Sequence, residues 1–458
     1  MSAGDRRPPG FARGGRPATT RRLVILGGGG FRVPLVYGAL LAGESPVGEV
    51  VLHDVDHARL AAIGRVLAAQ ARGVPGAPPV AATTDLTEAL TGADFVFSAI
   101  RVHGLEGRVI DERVALAEGV LGQETVGAGG VSYGLRTVPV ASAIARRIAL
   151  VAPDAWVINF TNPAGLVTEA MAAHLGDRVI GICDSPAALG RRVIRALGAD
   201  PDRARVAYAG LNHLGWLTAV RLDGDDLLPR LLADDDAIAS FEEGRLFGAE
   251  RLRALGAVPN EYLHYYYDEP ELVRAARNAR ETRGEFLLHQ QRACYDLLAE
   301  PGRDPLAAWN AARRHRDATY LTAEGLGERD DAEGGGYEAV ALALMTAIAR
   351  DEPAELILDV RNRGTLPELD DEAVVEVPCV VTGDGARPLP GATLPAHGAT
   401  LVRRIKATER AILEAAATGS RAVAIRAMAC HPLIDSVPLG RRLIAAYQER
   451  FPELDYLR

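Results

Sequence analysis

Leu23-Val24-Ile25-Leu26 runs straight into Gly27-Gly28-Gly29-Gly30, and further on Glu49-Val50-Val51-Leu52-His53-Asp54 is a second apolar run that ends in a carboxylate. The first run has the length of a strand and the glycines make a tight turn, so the stretch reads strand, turn, helix, strand. Such glycines let the backbone approach a pyrophosphate at the next helix's N-terminus, where unpaired N–H groups favour an anion. Asp54 is then placed to hold an adenosine ribose and to disfavour a 2'-phosphate. The expectation is a dinucleotide site made by Gly27, Gly28, Gly29, Gly30, Phe31 and Asp54, with NAD preferred over NADP. Arg32 and Val33 occupy the two registers in which a third glycine usually stands, and a plain glycine turn is the alternative.

Working outward, residues 95–100, 156–160 and 179–183 are further buried-strand candidates, with helical patterns such as 140–151 between them. Strands alternating with helices predict an α/β, Rossmann-like doubly wound parallel sheet over residues 21–200. From about residue 200 the texture changes. Residues 205–222 read as extended segments, and Ala/Arg/Glu/Leu-rich helical patterns follow from Phe241 and from Ala339. Residues 374–381, a Gly/Pro loop through Pro390 and an amphipathic stretch at 399–418 complete a mixed α+β C-terminal domain, expected to span 201–458. Residues 1–20, rich in Arg, Gly and Pro, read as a disordered leader without the apolar core of a secretory signal.

The 458 residues carry a formal net charge of -9, which gives no general attraction to nucleic acid. Anion binding must come from a few local arginines. The four cysteines, Cys183, Cys294, Cys379 and Cys430, form no CxxC pair, so a reducing compartment, the cytoplasm, is expected. No run approaches the roughly 18 apolar residues of a membrane span.

Several polar strings fall at predicted strand ends, where this architecture binds ligands. Arg101, closing the strand at 95–100, could grip a phosphate or simply pair with an acid on the surface. Gly122-Gln123-Glu124-Thr125, running on through Gly127-Ala128-Gly129-Gly130 to Leu135-Arg136-Thr137, reads as a polar turn between helical patterns, costly to bury without a purpose. Asn159-Phe160-Thr161-Asn162-Pro163 offers amides for sugar hydroxyls or a nicotinamide, or an Asx turn before proline. Cys183 and His213 are suitable ligand types for a divalent transition metal, although so wide a spacing makes no metal motif by itself. Pro259-Asn260-Glu261-Tyr262-Leu263-His264-Tyr265-Tyr266-Tyr267 is dense in phenols and could equally be a packing face.

In order, these strings resemble glycoside hydrolase family 4, the NAD-dependent glycosidases, over nearly the whole chain from Leu23 to about Leu457. The resemblance rests on the glycine turn, Ile100-Arg101-Val102, Asp111-Glu112, Gly122-Gln123-Glu124-Thr125, Asn162-Pro163, Cys183, Asn212-His213 and Pro259-Asn260-Glu261-Tyr262-Leu263. Gly335-Gly336-Tyr337-Glu338 and the residues from Val375 to Val380 resemble the 6-phospho-β-glucosidase branch, whereas Asp184 after the cysteine resembles the phospho-α-glucosidase pattern.

The resemblance implies a lactate/malate dehydrogenase-like architecture and a catalysis in which NAD oxidises carbon-3 of the glycone and later returns the hydride. Tyr262 matches the base that takes the carbon-2 proton. Asp184 could protonate the departing oxygen, and Cys183 with His213 would hold Mn2+ or a similar ion. Asn159 is assigned to the cofactor. Glu124 and Asn162 are assigned to the substrate, a small phosphorylated disaccharide or glucoside. Arg101 and Arg274 are assigned to its phosphate, with Arg277 or Arg280 able to replace Arg274 in the alignment. A homodimer or homotetramer is implied by resemblance alone. The rivals are a 2-hydroxyacid-type NAD dehydrogenase, for which no Asp-Arg-His constellation is found, and a non-catalytic NAD-sensing regulator.

Overall fold

The computed structural model describes residues 21–319 and 336–458. The expected leader at 1–20 and Gly335 lie outside the described residues. Among the described residues, thirteen strands form one sheet. They are β1 (Arg21–Leu26), β2 (Val47–His53), β3 (Val80–Thr83), β4 (Phe95–Ser98), β5 (Trp156–Asn159), β6 (Val179–Gly181), β7 (Arg205–Leu211), β8 (Leu214–Leu222), β9 (Asp225–Asp226), β10 (Val258–Pro259), β11 (Ala354–Arg361), β12 (Val374–Thr382) and β13 (Gly385–Pro388). The first six pair in parallel in the order β3-β2-β1-β4-β5-β6, the arrangement of two joined mononucleotide-binding halves.

Alternation along β1 explains why helices cover both faces. Leu23 and Ile25 pack with Val36, Tyr37, Ile63 and Leu67, from helices Val33–Ala42 and His57–Gln70. Val24 and Leu26 point the other way, toward Ala145, Ile148, Val167 and Met171 of helices Gly127–Val151 and Ala164–Leu175. All four β1 residues are fully buried.

The second half of the chain joins the same sheet. β11 and β12 pair antiparallel and insert between β6 and β7, meeting β6 at Asp359↔Gly181 and β7 at Glu376↔Gly210. One register row therefore crosses the molecule: Thr83, His53, Leu26, Ser98, Asn159, Gly181, Asp359, Glu376, Gly210. The parallel strands stop at this row, a residue or two before the ends expected from sequence, because Ile100, Phe160 and Cys183 already belong to the loops above it.

A larger correction concerns the string from Gly127 to Thr137. It is no turn but the start of helix Gly127–Val151. Its glycines lower helix propensity, yet the backbone of Thr125 lies so close that a Cβ on Gly130 would sit 2.4 Å from it. Arg136, deep in that helix, is buried in a bidentate pair with Asp111, at 2.9 and 2.7 Å. Among the described residues, no helix is long and apolar enough to cross a membrane.

The row also brings two acids together. Asp359 and Glu376 are cross-strand partners, 0% and 1% exposed. Glu376 accepts hydrogen bonds from Tyr208 Oη and Asn212 Nδ2, each at 3.1 Å, whereas neither Asp359 oxygen has a hydrogen-bond partner among the described residues. Burial pushes both carboxyls above the usual carboxylate range. An acid whose folded pKa is raised binds its proton more tightly when folded, so its contribution to stability falls as pH rises above the ordinary value. Asp359→Asn keeps the shape and removes the ionisation. It is expected to raise Tm by roughly 1–3 °C more at pH 8 than at pH 5; equal shifts in calorimetry at the two pH values would refute the buried neutral acid.

Candidate active site

Above the row lies a cavity of about 1130 Å3, lined from both halves of the chain. At one end, Gly27 turns the chain with φ +79°, and a Cβ there would fall 2.5 Å from the Ala99 carbonyl oxygen. Asp54 Oδ2 accepts the Gly29 N–H at 2.9 Å and Oδ1 accepts that of Asp56 at 3.1 Å, so this carboxylate also shapes the loop. Gly27, Gly30, Phe31 and Asp54 line the cavity, while Gly28 and Gly29 form the loop behind it. Helix Val33–Ala42 begins at this loop with no side-chain cap. The Val33 and Leu35 N–H groups there donate to Gly30 O and Arg32 O at 3.1 and 3.0 Å and Pro34 has none, so an anion at this end would be met by the loop that precedes the helix.

Asn159 does not reach the cavity. It is fully buried, and its Nδ2 donates to Thr161 O, Ala164 O and Thr168 Oγ1 at 3.2, 3.2 and 3.0 Å. Its Oδ1 accepts the Thr161 N–H at 3.1 Å. The amide is spent on the turn that carries Asn162 and the cis Asn162–Pro163 bond, and Asn162 is the residue of this string that faces the cavity.

In the middle of the cavity, Cys183, Asp184, Asn212, His213 and Tyr262 come together. His213 Nδ1 lies 2.8 Å from Thr125 Oγ1, and that hydroxyl is 3.1 Å from Gln123 Oε1. The Gln123 oxygen is acceptor only, so Thr125 donates to it and accepts from His213 Nδ1–H, which leaves Nε2 with its lone pair. Burial pulls His213 down to about 4, keeping the imidazole neutral, and pushes the Cys183 thiol well up. A soft thiol and a neutral imidazole facing one cavity fit a divalent ion that displaces the thiol proton. Among the described residues no three His, Cys, Asp or Glu side chains form a metal cage, so the remaining positions would fall to substrate or water.

The Tyr262 ring stacks on His213, with centroids 3.6 Å apart and planes 2° from parallel. Asn260 Oδ1 caps the turn by accepting the Tyr262 N–H at 3.0 Å, and Ser185 Oγ donates to Glu261 at 2.6 Å, tying the string to the Asp184 turn. The phenol-rich string divides. Tyr262 and Tyr265 line the cavity, whereas Tyr266 stacks on His431 and the Tyr267 hydroxyl accepts Trp216 Nε1–H at 3.1 Å.

A cationic wall forms another side of the cavity. Arg101 pairs with Glu124, and Arg108 bridges Glu124 at 2.6 Å and Glu112 at 2.8 Å. Despite its burial, the two guanidinium groups hold Glu124 well below the usual carboxylate range. Arg32, Arg283 and Arg316 line the same cavity. Burial and the nearby Arg32 and Arg283 pull Arg316 down to about 9. Such crowding is relieved by an anion.

Arg274 is not part of this wall. Its side chain is 70% exposed, pairs with Glu271 at 2.7 Å and does not line the cavity. Its helix, Glu269–Asn278, turns Leu272, Ala275 and Ala276 inward, which leaves Arg274 facing solvent. Arg277 is bonded to Leu116 O at 3.3 Å, and neither it nor Arg280 lines the cavity. The arginines that do were missed in the sequence. Thr282-x-x-Glu285, a capping box that places Arg283 at a helix start, was a readable signal; Arg316, mid-run in an arginine-rich helix, offered none.

Comparison with known proteins agrees with this geometry. The model of family 4 glycosyl hydrolases matches residues 22–199, and that of the family 4 glycosyl hydrolase C-terminal domain matches residues 208–434. A probable 6-phospho-beta-glucosidase of Bacillus subtilis is 33% identical, over 92% of this chain and 94% of its own. A maltose-6'-phosphate glucosidase of the same organism is 29% identical over 94% and 97%. A 6-phospho-alpha-glucosidase from gut microorganisms, solved with NAD and Mn2+, superposes with a TM-score of 0.78 at 26% identity, covering 95% of this chain and 99% of that one. The match extends through both halves of the chain and through every string that lines the cavity, and the chain belongs to glycosyl hydrolase family 4.

Proposed function

We propose that this chain hydrolyses 6-phosphorylated glucosides, and assign it first to the β anomer, using NAD and a divalent ion, Mn2+ in the first instance. The observation that carries the reading is the convergence on one cavity of the glycine loop, the Cys183/His213 donor pair, Tyr262 and the arginine wall. When bound, NAD supplies reversible oxidation at carbon-3 and the metal ion supplies Lewis-acid polarisation of the neighbouring sugar oxygens. Cys183 and His213 would hold the ion. Tyr262, fixed against His213, takes the proton from carbon-2, and Arg101 with Arg283 and Arg316 orients the 6-phosphate. Asn162 faces the glycone. Glu124 and Glu112 together balance Arg101 and Arg108, which leaves Arg32, Arg283 and Arg316 as the further positive charge toward a dianion.

The first-named relative supports the β assignment. Asp184 favours the α reading, because it stands beside Cys183 in the cavity and can protonate a departing oxygen. Burial of Cys183, Cys294 and Cys379 as free thiols supports a reducing, cytoplasmic setting. By resemblance we extend the proposal to a homodimer or homotetramer.

Release of p-nitrophenol from the α and β 6-phosphoglucosides, each with and without NAD and Mn2+, tests these readings together. Turnover of the β substrate alone supports the first and of the α substrate alone the second, while stoichiometric NADH formation would point to a dehydrogenase. Dialysis against a chelator should abolish turnover and Mn2+ should restore it; full activity in metal-free protein would remove Cys183 and His213 from the mechanism.

The phosphate wall predicts unequal arginines. Arg101→Ala should raise KM for the phosphorylated substrate by about a hundredfold, as expected for loss of a charge-assisted contact to a dianion, while Arg274→Ala should leave it within about twofold. Steady-state kinetics showing equal effects would overturn the wall. Tyr262→Phe should suppress both turnover and incorporation of solvent deuterium at carbon-2, read by NMR of the product. Activity retained with exchange intact would move the base to Tyr265, the other phenol of this string in the cavity.

A further inference from the structure

The dinucleotide loop is gripped from behind by the far half of the chain. Tyr295 Oη donates to the carbonyl of Gly29 at 2.6 Å, Trp309 Nε1 donates to that of Phe31 at 2.8 Å, and Tyr337 Oη donates to that of Arg32 at 3.1 Å. Three carbonyls in a four-residue span thus each accept a hydrogen bond from a side chain more than two hundred and fifty positions away. Packing reinforces the grip. Phe31 and Trp309 rings lie 5.9 Å apart in a small core with Val66, Cys294 and Leu298, and the Arg59 guanidinium sits 4.2 Å from the Tyr295 ring centre.

Tyr295 and Trp309 do not line the cavity, so they act on a ligand only through the loop. A carbonyl held on one side turns the peptide N–H of the following residue to the other, because the peptide unit is planar and trans. The grip on Phe31 therefore sets the direction of the Arg32 N–H, and the grip on Gly29 that of the Gly30 N–H, which donates to Gly27 O at 2.9 Å and closes the turn that a nucleotide would approach. This loop also lacks the third glycine, with Val33 buried in its place. The tight helix–strand packing that a glycine there provides is unavailable, and the C-terminal helices Arg283–Ala299 and Pro305–Ala318 supply the restraint instead.

We propose that Tyr295 and Trp309 are positioning residues for nucleotide binding, holding the Gly29–Arg32 peptides in the orientation that receives the pyrophosphate. The proposal rests on the reading of this loop as the NAD site. Tyr295→Phe and Trp309→Phe remove one donor each and keep the ring. Titration calorimetry should show the Kd for NAD raised about five- to tenfold in each variant, with kcat at saturating NAD and KM for the phosphoglucoside within about twofold of the parent. In the nucleotide-free protein, amide exchange of residues 27–33 should quicken while that of residues 47–53 stays unchanged. A merely structural role would lower Tm without moving Kd, and unchanged Kd in both variants would overturn the proposal. If the parent itself fails to bind NAD, the assignment of the site fails. The exchange measurement still decides the grip, since unaltered exchange at 27–33 overturns it in the absence of any ligand.

Discussion

The site depends on a single row of backbone pairing. Leu26, Ser98, Asn159 and Gly181 lie side by side at the carboxyl edge of the parallel strands, and Asp359, Glu376 and Gly210 continue the line. Gly27, Cys183 and Asn212 each follow within two residues of it, so the glycine loop and the turns that carry Cys183 and His213 are placed by register before any side-chain contact is counted. A slip of one residue would exchange the faces of a strand and carry its loop out of the crevice. Gly181 shows how closely the row is packed: a Cβ there would lie 2.4 Å from Thr168 Oγ1 and 2.7 Å from Asp359 Cβ.

The β11–β12 pair is the wedge in that row. It separates the strand leading to Cys183 from the strand leading to His213, so the spacing of two residues thirty apart in sequence is set by a hairpin near the C-terminus. It also places acids beneath the site, and the two sides of the cavity meet the cost of buried charge in different ways. Below Cys183 and His213, burial pushes Asp359 and Glu376 toward their neutral forms. On the arginine side the guanidinium groups cannot be neutralised in this way, and Glu124 is kept ionised between Arg101 and Arg108. The floor beneath Cys183 and His213 is left poor in charge and the arginine wall rich in it.

This division explains what the sequence could reveal. The parallel half was legible because each strand is a short apolar run with a chemically distinctive residue just beyond its end, and that pattern is local. Arg101, Asn162 and Cys183 face the cavity for that reason, whereas Glu124 reaches it from the turn before helix Gly127–Val151, and His213 and Tyr262 from the ends of antiparallel strands. Asn159 was misread because an amide at a strand end looks the same whether it faces a ligand or fastens the next turn. Arg274 was misplaced because helical position relative to the cavity is set by tertiary packing, and neighbouring arginines are alike in sequence. The glycines at 127–130 concealed a helix start, since close packing against Thr125 and a turn call for the same residue.

The Gln123-Glu124-Thr125 string shows why such polar runs resist a one-role reading. Gln123 and Thr125 turn to the same side, where the amide oxygen fixes the hydroxyl and the hydroxyl fixes the tautomer of His213. Glu124, between them, turns to the other side and pairs with Arg101 and Arg108. Alternation of side chains in a non-helical segment lets three consecutive residues serve two sites at once. The donor state of the imidazole and the charge balance of the phosphate wall are therefore set by one short backbone segment, itself wedged against the first turn of helix Gly127–Val151 by the contact at Gly130. A residue too large at that contact would disturb both the His213 and the Arg101 surroundings without itself facing them, which gives the small residues of the string a role in the candidate site that their own side chains do not show.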